Sequence, residues 1–166
     1  MNGPGPQRRI ANVIEDAGWA ALLPRVAALV EAAARATLAA ADAKAEGEID
    51  VLLSNDDEVR ALNARFRGKD SPTNVLSFPA PPGARGVLGD IALALGVCHR
   101  QAAEQGKMLK FHLQHLVAHG VLHLLGYDHQ TDAEAEAMET MERSIMAGLG
   151  APDPYAARED VEAPHG

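Results

Sequence analysis

Across residues 20–43 the apolar positions Leu22, Val26, Leu29 and Val30 recur at helical spacing in an Ala-rich background. That period predicts one amphipathic helix, with Pro24 in its first turn, where a missing N–H is tolerated. Gly47 ends it, and residues 49–53 read as a largely buried strand with Asp50 as the one polar interruption. The stretch Ser54-Asn55-Asp56-Asp57-Glu58 gives an N-cap followed by acidic residues in the first turn, which predicts a helix running to Phe66. Gly68 closes that helix. Residues 69–73 read as a turn, residues 74–78 as a β-rich run stopped by Pro79, and residues 89–94 as a strand antiparallel to it. Helices are expected over 97–105, over 108–125, and from Thr131 or Asp132 to Leu149. A short first strand is expected over 9–14.

These elements make an α+β fold in a single domain. The expectation is a small mixed sheet of about four strands, with about five helices around a central helix at 108–125. Residues 1–8, rich in Gly and Pro, read as a flexible lead, residues 9–150 as the domain, and residues 151–166 as a loose tail. The helix at 108–125 is apolar on nearly every turn, which predicts packing on several sides. On the last helix Met138, Met141, Ile145 and Met146 form the expected core stripe. Glu134, Glu136, Glu139 and Glu142 are read as its solvated face.

The central helix also carries the candidate chemistry. His119 and His123 are four residues apart, so their rings share one face, one turn apart. His115 lies on the same stripe, but His115 and His123 are separated by a rise of about 12 Å, too far to share an ion with Zn–N bonds of about 2.0–2.1 Å. A third ligand has to come from a chain that has turned back. Gly126 is suited to make that turn, and His129 follows it. The expected result is a three-histidine zinc site with one open position, the arrangement of a catalytic metal. The spacing matches the His-x3-His-x2-Gly-x2-His part of the long zinc-protease signature. Where that signature has its general-base Glu, this chain has Gly120, which weakens a peptidase reading.

Composition narrows the classes. With 166 residues and 47% hydrophobic content, the chain is long enough for one well-covered core. No apolar run reaches the roughly eighteen residues of a membrane span, and no secretory pattern is seen, so a cytoplasmic protein is expected. Cys98 is the single cysteine and reads as a small buried hydrophobe. A net charge of −8 argues against a general nucleic-acid binder. Arg60, Arg65, Arg67 and Lys69 nevertheless form a local basic cluster that can contact phosphates. From the residues alone Arg67 reads first as a helix-end cation.

Several stretches together resemble one family. LNARFRGKDSPTNVLSFP (62–79), LGDIALA (88–94) and HGVLHLLGYDH (119–129), followed by an acidic helix with Met138-x2-Met141-Glu142, are similar to the YbeY endoribonucleases. The similarity runs from about residue 49 to 149; Asn74 sits where many members have Asp. The resemblance implies a zinc-dependent, single-strand-specific RNA endonuclease that matures the 3′ end of 16S rRNA and serves ribosome quality control. It implies one Zn²⁺ held by His119, His123 and His129, with Arg67 and His119 as catalytic residues. It also implies small-subunit ribosomal components and an Era-type GTPase as partners, with neither DNA nor membrane. Arg65, Lys69, Thr73, Asn74 and Ser77 are candidates for RNA contacts, and Asp128 and His115 for support behind the metal ligands. A metallohydrolase of another substrate class and a ribosome-associated factor with a structural metal stand as the alternatives.

Overall fold

Alternation along three of the strands sorts the sheet into two unlike faces. The computed structural model describes residues 10–41, 47–84 and 86–156; the expected lead over 1–8 and the tail beyond 156 lie outside the described residues. The elements run β1 (Ile10–Ile14), α1 (Gly18–Leu22), α2 (Val26–Ala40), β2 (Glu48–Ser54), α3 (Asp56–Arg67), β3 (Val75–Pro79), β4 (Val87–Ala94), α4 (Leu95–Glu104), α5 (Leu109–Leu124) and α6 (Asp132–Gly148). The sheet has the order β1-β2-β4-β3. β1, β2 and β4 are parallel, and β3 runs antiparallel to β4 at the edge, so the sheet is mixed.

Ile49, Val51 and Leu53 of β2, Val75 of β3, and Ile91 and Leu93 of β4 point into the main core, against α2 and α5. Leu52, Leu76, Phe78, Ala92 and Ala94 belong to a smaller cluster completed by Val59 and Leu62 of α3. α5 is sandwiched between α2, β3, α4 and α6, and every residue from His112 to Leu122 is buried. The unbroken apolar character of this helix thus has its counterpart in burial on all sides.

One expectation for the helices is corrected. The helix expected over 20–43 is two helices, α1 and α2. Pro24 disfavours helical backbone in the residue before it, and Leu23 accordingly sits at φ −131°, ψ 88°. The split gives six helices among the described residues instead of about five. Trp19 fixes α1 from the core side, fully buried, its Nε1–H donating to the Ser54 carbonyl at 2.8 Å. Within the stretch expected to cap α3, Ser54 remains the last residue of β2, and Asn55 is the cap, accepting from the Glu58 N–H at 2.8 Å. At α6 the cap is Thr131, whose Oγ1 accepts from the Glu134 N–H at 3.1 Å.

The tail is not loose where it is described. Tyr155 is 7% exposed, and its hydroxyl donates to Glu142 at 2.9 Å. Lys107 Nζ donates to the Pro154 carbonyl at 2.7 Å. A buried hydroxyl with a carboxylate partner is a specific anchor, because unpairing it would cost on the order of 1–3 kcal/mol.

Candidate metal centre

α5 ends on a turn that brings its histidine pair face to face with a third ring. The Leu125 N–H bonds back to Val121, the Gly126 N–H to His123, and the Tyr127 N–H to Leu122. Gly126 takes φ 99°, a left-handed conformation that suits glycine, and so reverses the chain. His129 is thereby placed beside the pair. The ring centres of His119 and His123 are 4.6 Å apart, those of His123 and His129 5.2 Å, and those of His119 and His129 5.8 Å. One nitrogen from each of the three lies within 4.8 Å of the others. His119 is buried, His123 half-buried and His129 exposed, so the cluster opens to solvent on one side.

Hydrogen bonding sets the tautomers, and the tautomers test whether these residues suit a metal. His119 Nδ1 lies 3.3 Å from the Glu142 carboxylate, and His123 Nδ1 lies 2.9 Å from the Tyr127 carbonyl. Both partners only accept, so both Nδ1 atoms carry the proton. The two Nε2 atoms then present lone pairs to each other at 3.1 Å. Two lone pairs at that separation repel unless a cation lies between them. Tetrahedral ligands with metal–nitrogen bonds of about 2.0–2.1 Å stand about 3.3 Å apart, close to this spacing. Burial, with His119 and His129 as neighbours, pushes the His123 pKa down to about 4. The ring is therefore neutral and able to ligate near pH 7. The donor set fits a divalent ion such as Zn²⁺.

Behind the cluster stands a group that the sequence reading placed in solvent. Glu142 is 1% exposed. Its Oε1 accepts from His115 Nε2, from His119 Nδ1 and from the Tyr155 hydroxyl. Burial alone would raise its pKa; the hydrogen bonds from His115 and His119 hold it below the ordinary carboxylate range, so Glu142 is ionised. Burial lowers the His115 pKa, and the ring donates as a neutral imidazole. The chain Tyr155–Glu142–His119 orients a ring of the cluster and raises its basicity, as carboxylates behind metal-binding histidines do. A signal for this was present. Glu142 follows Met138 by four residues and precedes Ile145 by three, so it lies on the apolar stripe of α6.

The remaining candidates divide. Arg67, Lys69 and Ser77 line a cleft of about 480 Å³ together with His123, Asp128 and His129. Arg67 Nη2 donates to the Ser77 carbonyl at 2.7 Å, which fixes the guanidinium at the outer edge of β3. Arg65 is exposed, with its guanidinium 5.1 Å from the centre of the Phe66 ring. Thr73 is half-buried in the turn before β3. Asn74 is not available to a substrate. It is 1% exposed, donates to Gln101 at 3.1 Å and accepts from the Val75 N–H at 2.7 Å, tying β3 to α4. Asp128 accepts from the His129 N–H at 2.8 Å and so shapes the turn. His115 supports the cluster through Glu142, as just described. Cys98 is fully buried, and burial raises its thiol pKa, so it stays protonated.

Gly120, where the protease signature has its base, is explained by packing. A Cβ there would lie 3.1 Å from two atoms of Ile91 and 3.2 Å from Ser77 Oγ. The helix rests on the sheet at this point, and any side chain there would press on Ile91 and Ser77.

Fold and site define a class: α+β domains that set a three-histidine cluster, able to hold a metal ion, beside a basic sheet edge. The chain belongs to the family described as Endoribonuclease YbeY, whose profile matches residues 14–150. It is similar to proteins named Endoribonuclease YbeY from Maricaulis maris, 46% identical over 92% of this chain and 95% of that one. A relative of the same name from Chelativorans sp. is 53% identical over 77% of this chain and 82% of its own. One from Rhodopseudomonas palustris (strain BisB5) is 55% identical over 77% and 71%. Among solved structures, the solution structure of a Thermotoga maritima protein superposes with a TM-score of 0.53 at 26% identity, over 92% of this chain and 97% of that one. Among the described residues no helix is long and apolar enough to cross a membrane.

Proposed function

We propose that this protein is a zinc-dependent endoribonuclease that cuts single-stranded RNA in the cleft between the histidine cluster and the β3 edge. The observation that carries the reading is the opposition of lone pairs on His119 and His123, with Arg67 and Lys69 lining the same cleft as His123 and His129. His119, His123 and His129 hold the ion. When bound, Zn²⁺ supplies Lewis-acid polarisation of a phosphate oxygen and an acidified water. Arg67 grips the phosphate bidentately, since its planar fork matches two oxygens, and stabilises charge that builds there during cleavage. Lys69 adds a second, more mobile cation. Glu142 keeps the His119 ring in its ligating tautomer.

Attack by the neighbouring 2′-OH leaves a 2′,3′-cyclic phosphate, and attack by water leaves a linear phosphate; analysis of the product ends separates the two routes. The family supports a place in the cytoplasm, in maturation of the 16S rRNA 3′ end and in ribosome quality control. It supports small-subunit ribosomal components and an Era-type GTPase as partners.

The test is cleavage of an end-labelled single-stranded RNA by the purified protein, beside His123→Ala prepared identically. Cleavage by the wild type and none by the variant is the expected result. Equal cleavage by both would point to a contaminant, and cleavage by neither would favour a non-enzymatic ribosome-bound factor.

A further inference from the structure

The cleft does not stop at the β3 edge. On the opposite face of the sheet lies a second hollow of about 670 Å³, and Arg67, Ser77 and Pro79 line both. Its floor is apolar, built from Leu52, Leu62 and Ala92. Two phenylalanines form its aromatic wall. Phe66, at the end of α3, is 58% exposed, and its ring stands edge to face with Phe78 at 5.5 Å. Phe78 sits directly across the strand pair from Asp90, whose carboxyl also lines the hollow.

The hollow is polar at its two ends and in opposite senses. At the β3 edge the Arg67 guanidinium lies 5.7 Å from the centre of the Phe78 ring. At the far end Asp90 pairs in register with Asp50, and burial together with Asp50 and Glu48 pushes its carboxyl pKa up. Three neighbouring carboxyls repel a phosphate but accept hydrogen bonds from N–H groups. Arg67 and Asp90 both neighbour Phe78, and Phe66 stands against that ring, so a cation, an aromatic pair and an acceptor lie together, matching the phosphate, base face and base edge of a nucleotide. Aromatic rings are sequence-tolerant platforms for unpaired bases, and a carboxylate reads exocyclic amino groups.

We infer that this hollow is a base-binding subsite that takes the unpaired nucleobase next to the phosphate held by Arg67, stacking it on Phe66 with its amino edge toward Asp90. The inference rests on the endoribonuclease reading and adds to it a source of single-strand preference. A base held in a duplex loses a few kcal/mol to unpairing and unstacking on entering the hollow, whereas an unpaired one does not. It also predicts a preference for amino-bearing bases over uracil at that position. A peptide segment is the competing occupant, and it is disfavoured because the hollow opens directly onto the phosphate-gripping arginine.

The experiment is an abasic walk. Fluorescein-labelled 2′-O-methyl oligoribonucleotides, each lacking one base, are titrated with the zinc-loaded protein and followed by anisotropy. Removal of one particular base is expected to weaken binding by about tenfold, within the range for a stacked base. With Phe66→Leu, that penalty should largely vanish while the penalty-free positions and the zinc content stay unchanged. Phe66 is exposed, so the substitution leaves the core alone. Asp90→Asn should shift base preference at the same position. If unmodified RNA is bound and cleaved but no position is sensitive to base loss, the subsite is overturned, the endoribonuclease reading stands, and the hollow is left to a protein segment. A base penalty that survives Phe66→Leu unchanged places the base elsewhere and also overturns it. If RNA is neither bound nor cleaved, both readings fail.

Discussion

The two walls of the cleft are built on opposite principles. The histidine wall is buried and polar. Glu142, His115, His119 and Tyr155 are each under a tenth exposed, and they bond to one another inside the protein. The β3 wall is cationic and open, with Arg65, Phe66, Arg67 and Lys69 exposed at the end of α3 and just beyond it. Geometry on the first wall is fixed by the core, so a ring can be held to the tolerance that coordination needs. On the second wall one guanidinium, that of Arg67, is held by the Ser77 carbonyl, while exposed cations around it can adapt to a phosphate backbone by charge and reach. Substitutions on the first wall should therefore cost stability and metal affinity together. Those on the second should cost RNA binding and cleavage, and leave zinc affinity unchanged.

The largest effect is expected at Glu142. Glu142→Ala removes the acceptor of three donors on His115, His119 and Tyr155, and leaving buried donors unpaired costs about 1–3 kcal/mol each. A loss of at least about 3 kcal/mol in a urea titration is expected. Glu142→Gln keeps the volume but weakens orientation of His119, so zinc affinity should fall about 10–100-fold, read by competition with a chromophoric chelator. Unchanged zinc affinity in the Gln variant would remove Glu142 from the site. Arg67→Ala is the matching change on the other wall. Cleavage should drop by about a hundredfold, as for loss of one donor to developing charge, while zinc affinity holds and stability moves by less than about 1 kcal/mol. Equal loss of zinc would mean that the two walls are not separable.

This division also decides what could be read from the chain. The histidine spacing is legible because it is local: an i,i+4 pair, a glycine turn and a third ring within eleven residues need no knowledge of the rest of the fold. The strands and the antiparallel pairing of β3 with β4 followed from period and turn residues, whereas the parallel pairing of β1, β2 and β4 joins segments far apart in the chain. Glu142 stands among the four glutamates of α6 that together suggest a solvated face, yet it occupies the apolar one. On the stripe of Met138, Ile145 and Met146, a carboxylate must have partners, and those come from α5 and the tail, which no local pattern reveals. Asn74 is hidden from the local pattern for the complementary reason. A polar residue beside a turn reads as accessible, yet its partner Gln101 lies 27 positions away. The split at Pro24 could have been seen, since Leu23 was bound to leave the helix before a proline.

Gly120 sharpens the same contrast at a smaller scale. Alanine gains about 0.8–1.0 kcal/mol of helix propensity, but its Cβ would press on Ile91 and Ser77, and overpacking typically costs about 1–3 kcal/mol. The balance is a net loss of about 1 kcal/mol in Gly120→Ala, measured by denaturant titration. A gain in stability would show that the contact between α5 and the sheet can relax.

The smallest effect, and the most discriminating, belongs to Tyr155→Phe. The ring packs edge to face on His115 at 5.3 Å, and that contact survives the substitution. Only the hydroxyl is lost, and Glu142 retains its two histidine donors, so stability should fall by about 1 kcal/mol. Zinc affinity should fall by less than it does in Glu142→Gln, because the bond to His119 remains. A larger loss of zinc affinity in Tyr155→Phe than in Glu142→Gln would mean that the hydroxyl holds the carboxylate in place and the histidines merely follow. The buried wall would then take its order from the tail rather than from α5 and α6.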